Sequence, residues 1–169
     1  MVIFQREGTE AFDMIKSKKL ITSDAWHFED FSKGDVITTT ARTVTETDIV
    51  LTVGITGHSQ PLFINEEFAK TTSYGTRIAP VELSIGIMAG LLTRTGILEN
   101  QIGLLEFHCT VPGAVRAGDT LHAVTEVEEI RLTSDKVRGV VTFHDRLINQ
   151  KSENVLDARR VAMFWSRNR

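Results

Sequence analysis

The stretch Thr56 to Ala69 reads TGHSQPLFINEEFA, placing a histidine, an amide and a proline together ahead of an amphipathic run. By residue type, His58 is the natural proton carrier of this stretch, because imidazole titrates near neutrality without help from its surroundings. It is equally at home as a polar residue in a loop. A second chemical feature is Pro80-Val81-Glu82. Proline suits a helix start, so the Val81 N–H has no partner within the helix and lies at the positive end of its dipole, where anionic oxygen is favoured. Glu82 follows in the first turn, where the same dipole favours a carboxylate. Other candidates fall away. His108 and Cys109 are neighbours on a predicted strand, so their side chains point to opposite faces and form neither a nucleophile–base pair nor a metal site. His122 and His144 stand on other strands without ligand spacing, so no metal is expected. No phosphate-cradling glycine loop or dinucleotide fingerprint is present, so no cofactor is expected.

The elements that must position these groups are read from patterning. IAPVELSIGIMAGLLTRTG is the strongest helix signal in the 169-residue chain, opened by Pro80 and closed by Gly96. It is apolar nearly all round, which predicts burial on most sides, and Gly86 and Gly90 within it mark a close packing surface. Upstream, DVITTTARTVTETDIVLTVGITG has the β-branched richness of strands, with TETD opening a short helix after a threonine cap. EEFAKTT predicts a short helix with Phe68 facing inward, and SYGT a turn. EAFDMIKSKKL, with Phe12, Ile15 and Leu20 on one side, predicts a short amphipathic helix in the N-terminal extension 1–24. Downstream of the long helix, alternating segments separated by Gly, Asp, Ser and Asn predict three to five long antiparallel strands. One buried helix followed by such strands gives an α+β fold, a single domain over 25–169 with an antiparallel sheet wrapped around a long central helix. Such a sheet leaves an edge that a second copy would cover, so a homodimer is expected.

Bulk properties narrow the classes of function. Hydrophobic residues make up 41% and charged residues 24%, ordinary for a globular domain. A net charge of −3 without a basic block argues against nucleic acid or an anionic membrane as partner. MVIFQREGTE lacks the basic and apolar regions of a signal peptide, and the longest apolar run, around Ile85 to Leu92, is too short to span a membrane. A lone cysteine, Cys109, excludes an internal disulfide and fits a reducing cytoplasm.

Six motifs in this order are similar to the MaoC-like family of R-specific enoyl-CoA hydratases, which have the hotdog fold. They are FEDFSKGD from Phe28, RTVTETDI from Arg42, TGHSQPLFINEEFA, YGTRIA from Tyr74, VPGAVRAGDTL from Val111, and RGVVTFHDRLINQ from Arg138. The family's diagnostic stretch is Gly-Asp-x-Asn-Pro-x-His. Gly57 and Pro61 match it, and Gln60 replaces the Asn. His58 stands where the family has its catalytic Asp, and Phe63 where it has its catalytic His. The family's backbone donor to the thioester oxygen, on a Gly after Ile-Ala-His, falls here on Val81, with Ile78 shortly before it.

The resemblance implies an enoyl-thioester hydratase or dehydratase with an altered Asp/His dyad. His58, Gln60 and the Val81 N–H are its catalytic candidates, and Pro61, Phe63, Ile78 and Glu82 are expected against the substrate. Losing a positioned general base costs on the order of 10²–10⁴ in rate, and Phe63 cannot supply that function. His58 is then either the surviving base or a polar residue over an unreactive pocket. A catalytically silent acyl-CoA-binding or structural subunit, paired with an active relative, is the alternative. Less favoured is a thioesterase with Glu82 as base, as in hotdog thioesterases that carry a carboxylate on the central helix. The implied partners are acyl-CoA or an acyl-carrier thioester and further copies of the chain, as a homodimer or a dimer of dimers. Arg42, Arg77, Arg94 and Arg116 are within the set that could meet coenzyme A phosphates, although isolated surface arginines commonly do nothing.

Overall fold

The computed structural model describes residues 25–168, so the helix expected around Phe12 and Ile15 lies outside the described residues. A 3-10 turn at Phe28–Asp30 leads into two short strands, β1 (Val36–Thr38) and β2 (Arg42–Thr43). Three helices follow, α1 (Glu46–Thr56), α2 (Pro61–Ile64) and α3 (Glu66–Lys70), and then the long helix α4 (Val81–Thr93). Four long strands complete the fold: β3 (Gln101–Thr110), β4 (Thr120–Leu132), β5 (Arg138–Ile148) and β6 (Asn154–Trp165).

All pairings are antiparallel, in the order β1-β4-β5-β6-β3, with β2 also on β4. Strand alternation puts Leu121, Ala123, Val127, Val141, Phe143, Leu147, Ala162 and Phe164 on one face, all buried. Against that face lie Leu83, Ile87, Met88, Leu91 and Leu92 of α4, in one apolar core with Trp26 and Phe31 from the entry segment. The expected α+β architecture, a sheet around a central helix, is therefore present.

Of three local expectations, two are borne out and one is corrected. The short helix expected to open at TETD after a threonine cap is α1, which carries the β-branched run Ile49 to Thr56. Thr45 and Asp48 close a capping box: Thr45 Oγ1 accepts from the Asp48 N–H at 3.2 Å, and Asp48 accepts from the Thr45 N–H at 2.8 Å. That cap settles two donors at once and overrides a weak strand propensity. Phe68 does not face inward. It is 45% exposed, and Ala69 is the buried residue of α3, because a five-residue helix turns only one narrow face to the core. Helix α4 is buried on most sides, as expected, with Glu82, Gly86, Ala89, Gly90 and Thr93 forming an exposed stripe along it. The helix ends at Thr93 with Arg94 as its cap, ahead of Gly96.

Two glycines are required by geometry. Gly57 adopts φ 70° as the left-handed cap of α1, its N–H donating to the Val53 carbonyl at 2.9 Å, and so turns the chain into the loop bearing His58. Gly139 lies under Phe28, where an added Cβ would come within 2.0 Å of the ring.

The core also holds a charged pair. Asp145 is fully buried and Arg160 nearly so. Arg160 Nε donates to Asp145 Oδ2 at 2.5 Å and Nη2 to Oδ1 at 3.2 Å. Thr125 Oγ1 donates to the same carboxylate. The guanidinium lies 4.0 Å from the centre of the Phe143 ring.

Candidate functional site

A cavity of about 250 Å³ opens beside the start of α4. Its wall includes His58, Phe63, Tyr74, Ile78, Val81 and Ser84, with residues 111–115 after β3 on the opposite side. Each part reaches the cavity by a local cause. Gly57 ends α1 and delivers His58. Pro61, the first residue of α2, starts a turn that carries Phe63 inward, where it is 8% exposed. Glu66 of α3 then holds the return segment. Its carboxylate accepts from the Arg77 N–H at 3.1 Å and from Thr76 Oγ1 at 2.9 Å, and these bonds, the backbone one first, hold its carboxyl below the usual glutamate range. Arg77 also pairs with Glu46 of α1 at 2.5 Å, which raises the guanidinium's value further. Downstream, the Ala79 N–H donates to the Val115 carbonyl at 2.8 Å, tying the approach to α4 onto the opposite wall.

The head of α4 supplies the donors. Pro80 is the N-cap and Val81 the first helical residue, so the Val81 N–H has no acceptor within the helix. Ser84, one turn on, is buried yet lines the cavity.

His58 is half-buried and makes two contacts of note. Its ring meets Phe63 edge-on, with centroids 4.8 Å apart and planes at 76°. Its Nδ1 lies 3.1 Å from Glu82 Oε1. The side chains are 32% and 43% exposed, so the pair sits at the rim and remains in touch with solvent.

Of the residues singled out in the sequence, His58, Phe63, Ile78 and Val81 meet at one cavity. Glu82 joins them through His58. Gln60 and Pro61 are exposed and outside the cavity wall, Gln60 serving as the N-cap of α2 through its backbone. Ser84 and Tyr74 were not singled out. Ser84 could have been found from its i+3 spacing to Val81, which puts both on one side of the helix. Tyr74 stands at the head of YGTRIA, a motif already noted. Among the arginines, Arg42 pairs with Asp48, Arg77 with Glu46 and Glu66, and Arg116 Nη2 reaches the Tyr74 carbonyl at 3.4 Å. These bonds brace the scaffold around the site. Among the described residues no group of three or more His, Cys, Asp or Glu side chains gathers to hold a metal ion, and no helix is long and apolar enough to cross a membrane.

Comparison with known proteins places this geometry in context. A family model described as a MaoC like domain matches residues 28–146. The chain is 37% identical over 106 residues to an (R)-specific enoyl-CoA hydratase of Rhodospirillum rubrum, covering 60% of this chain and 69% of that one. It is 35% identical over 145 residues to a beta-methylmalyl-CoA dehydratase of Chloroflexus aurantiacus, covering 83% of this chain but only 40% of the relative's length. Among solved structures, a protein of Archaeoglobus fulgidus described as a monoamine oxidase regulatory protein superposes with a TM-score of 0.78 at 31% identity, covering 87% of this chain and 99% of that one. A double-hotdog protein of Mycobacterium tuberculosis superposes with a TM-score of 0.77 at 23% identity, over 84% of this chain and 44% of that one, a likeness of fold. The architecture is the hotdog fold.

Proposed function

The chain belongs to the MaoC-like domain family, and on that premise we propose that it adds water to, or removes it from, the double bond of an acyl thioester, with His58 carrying the proton. One juxtaposition carries this reading: His58 and the first residue of α4, Val81, line the same cavity. The reaction needs a group that takes a proton from water, a proton for the α-carbon, and a donor to the thioester oxygen as charge builds there. The Val81 N–H meets the last need without calling on any side chain. The Ser84 hydroxyl adds a polar group to the same wall. Phe63 and Ile78 give the cavity an apolar surface for the acyl group, while Gln60 and Pro61 act at one remove by opening the helix that aims Phe63. Names of the relatives support acyl-CoA as the substrate class.

A second copy of the chain belongs to this reading. Among the described residues β3 is bonded on one side only, to β6, and it exposes Ile102, Leu104 and Leu105. An apolar free edge of ten residues favours pairing with another edge.

Purified protein should hydrate crotonyl-CoA, and His58→Ala should lose that activity by about 10²-fold or more. Equal rates in the two proteins would overturn His58 as the proton carrier. One observation favours a second reading: Phe63, at the family's His position, is buried and carries no proton. Crotonyl-CoA binding without turnover by the full chain would support that reading, a silent acyl-CoA-binding subunit.

A further inference from the structure

In the family pattern an acidic residue stands at the position of His58 and a histidine at the position of Phe63. Here both are exchanged, yet a carboxylate and an imidazole still face each other at the mouth of the cavity, because His58 Nδ1 lies 3.1 Å from Glu82 Oε1. We infer that the acid–histidine pair has been rebuilt rather than lost, with histidine moved onto the loop and the carboxylate onto α4, so that Glu82 is the positioning residue that fixes the tautomer of His58. The inference rests on the hydro-lyase reading and adds to it the residue that makes a single histidine sufficient.

The argument runs through donor and acceptor types. An ionised carboxylate accepts hydrogen bonds and donates none. A neutral imidazole facing Glu82 therefore carries its proton on Nδ1 and leaves the Nε2 lone pair free. Nε2 has no partner among the described residues, and His58 lines the cavity. Phe63 limits the ring from the side, its own ring standing at 76° to the imidazole with centroids 4.8 Å apart. The side chain that removed a proton carrier thus acts as a stop that holds the remaining one.

With one carrier, both proton movements pass through Nε2. In hydration, Nε2 takes a proton from water as the water oxygen bonds to Cβ. The π electrons of the double bond move to Cα and onto the thioester oxygen, which the Val81 N–H holds. The imidazolium then returns the proton from Nε2 to Cα and is neutral again, so one C–O and one C–H bond have formed and the double bond has become single. Since one group serves both steps, oxygen and hydrogen add to the same face of the double bond.

The discriminating variant is Glu82→Gln. An amide has nearly the same shape but can either accept from Nδ1–H or donate to a bare Nδ1, so it no longer selects a tautomer. Long-range ¹⁵N–¹H correlation of the neutral ring of His58 should show the proton on Nδ1 in the wild-type chain and a shift toward Nε2–H in Glu82→Gln. In crotonyl-CoA hydration, Glu82→Gln should lower kcat by roughly 10²-fold with KM little changed, the low end of what a positioned proton-transfer group contributes, since both side chains are partly exposed. Glu82→Leu should fall at least as far. A wild-type His58 protonated on Nε2, or an unchanged tautomer in Glu82→Gln, would overturn the pairing whatever the turnover. A shifted tautomer with undiminished kcat would overturn the positioning role while leaving the hydro-lyase reading standing. No turnover in the wild-type chain, with Nδ1 protonated as expected, would remove the hydro-lyase reading and with it the shuttle, while the pair itself would stand.

Discussion

Truncating Asp145 to alanine should be among the most damaging single changes in this chain. The side chain is wholly inaccessible, and three donors converge on it: Nε and Nη2 of Arg160 and Oγ1 of Thr125. Asp145→Ala leaves the guanidinium of Arg160, a residue only 6% exposed, without its counter-charge inside an apolar core. Breaking a buried pair in this way costs about 3–5 kcal/mol. For a chain of this size each kcal/mol corresponds to about 2–4 °C, so the melting point should fall by about 6–20 °C. The contact with the Phe143 face is already made in the wild-type chain and so does not offset this loss. Thr125→Val removes one donor only and should cost about 1 kcal/mol. Replacing both charges, as in Asp145→Leu with Arg160→Met, should cost far less than the single change, because no charge is then left unpaired. Urea unfolding followed by fluorescence of the buried Trp26 would measure all four proteins at one fixed chain concentration, so that any pairing of copies acts equally on each. A loss below about 1 kcal/mol for Asp145→Ala, or a double variant as unstable as the single one, would refute the account of this pair.

Restoring the family's residues by His58→Asp with Phe63→His should raise crotonyl-CoA hydration well above either single change, because two groups gripping one water act as a unit; equal rates in the double and single variants would argue that other walls, Val81 first, restrict the site. By isothermal titration, crotonyl-CoA and a saturated analogue should bind in the range of about 1 μM to 1 mM, and Val81→Gly should tighten both by removing a side chain from beside the thioester oxygen. No binding of either at millimolar ligand would count against every acyl-thioester reading of the isolated chain. Burial holds the His122 imidazole below the ordinary histidine value of 6.5, so the unfolded chain takes up a proton before the folded one does. The stability this neutral ring preserves is present above that value and is lost as pH falls through it toward the folded-state value. His122→Gln should flatten this part of the curve, read from urea midpoints between about pH 7.5 and about pH 5.

How far the molecule could be read from its sequence depends on which interactions are local. Pro80 and the apolar run after it announced α4, and the alternation in VRGVVTFHDRLINQ announced β5, because both signals are carried by neighbours in sequence. The same alternation, once β5 is placed, puts Asp145 in line with Val141, Phe143 and Leu147 on the inner face, so its burial was latent in the pattern. The helix through the run after Asp48 was legible at its start, because TETD supplies the capping box that outweighs the weak strand preference of β-branched residues. The meeting of His58 with Glu82 had no sequence signal at all. The two are 24 residues apart on different elements, and each alone has an ordinary explanation, a loop histidine and a first-turn carboxylate. Only the fold, by swinging the loop after Gly57 over the head of α4, turns them into a pair.

The strand order carries a consequence for how the chain assembles itself in time. Among the described residues β3 is the first long strand to be synthesised, but its partner is β6, and β4 and β5 pair with each other before β6 exists. Until residues 154–165 arrive, β3 lacks its partner strand and the outer edge of β5 is bare. β6 is thus a keystone. It closes two ladders at once, and no amount of local propensity in β3 can substitute for it. A nascent chain stopped short of Asn154 exposes two long apolar edges together, the condition in which strands find the wrong partner. Closure also comes at large sequence separation, since Thr110 pairs with Asp157, which slows this step. Chaperone demand should therefore peak just before the last strand clears the ribosome and fall once it docks.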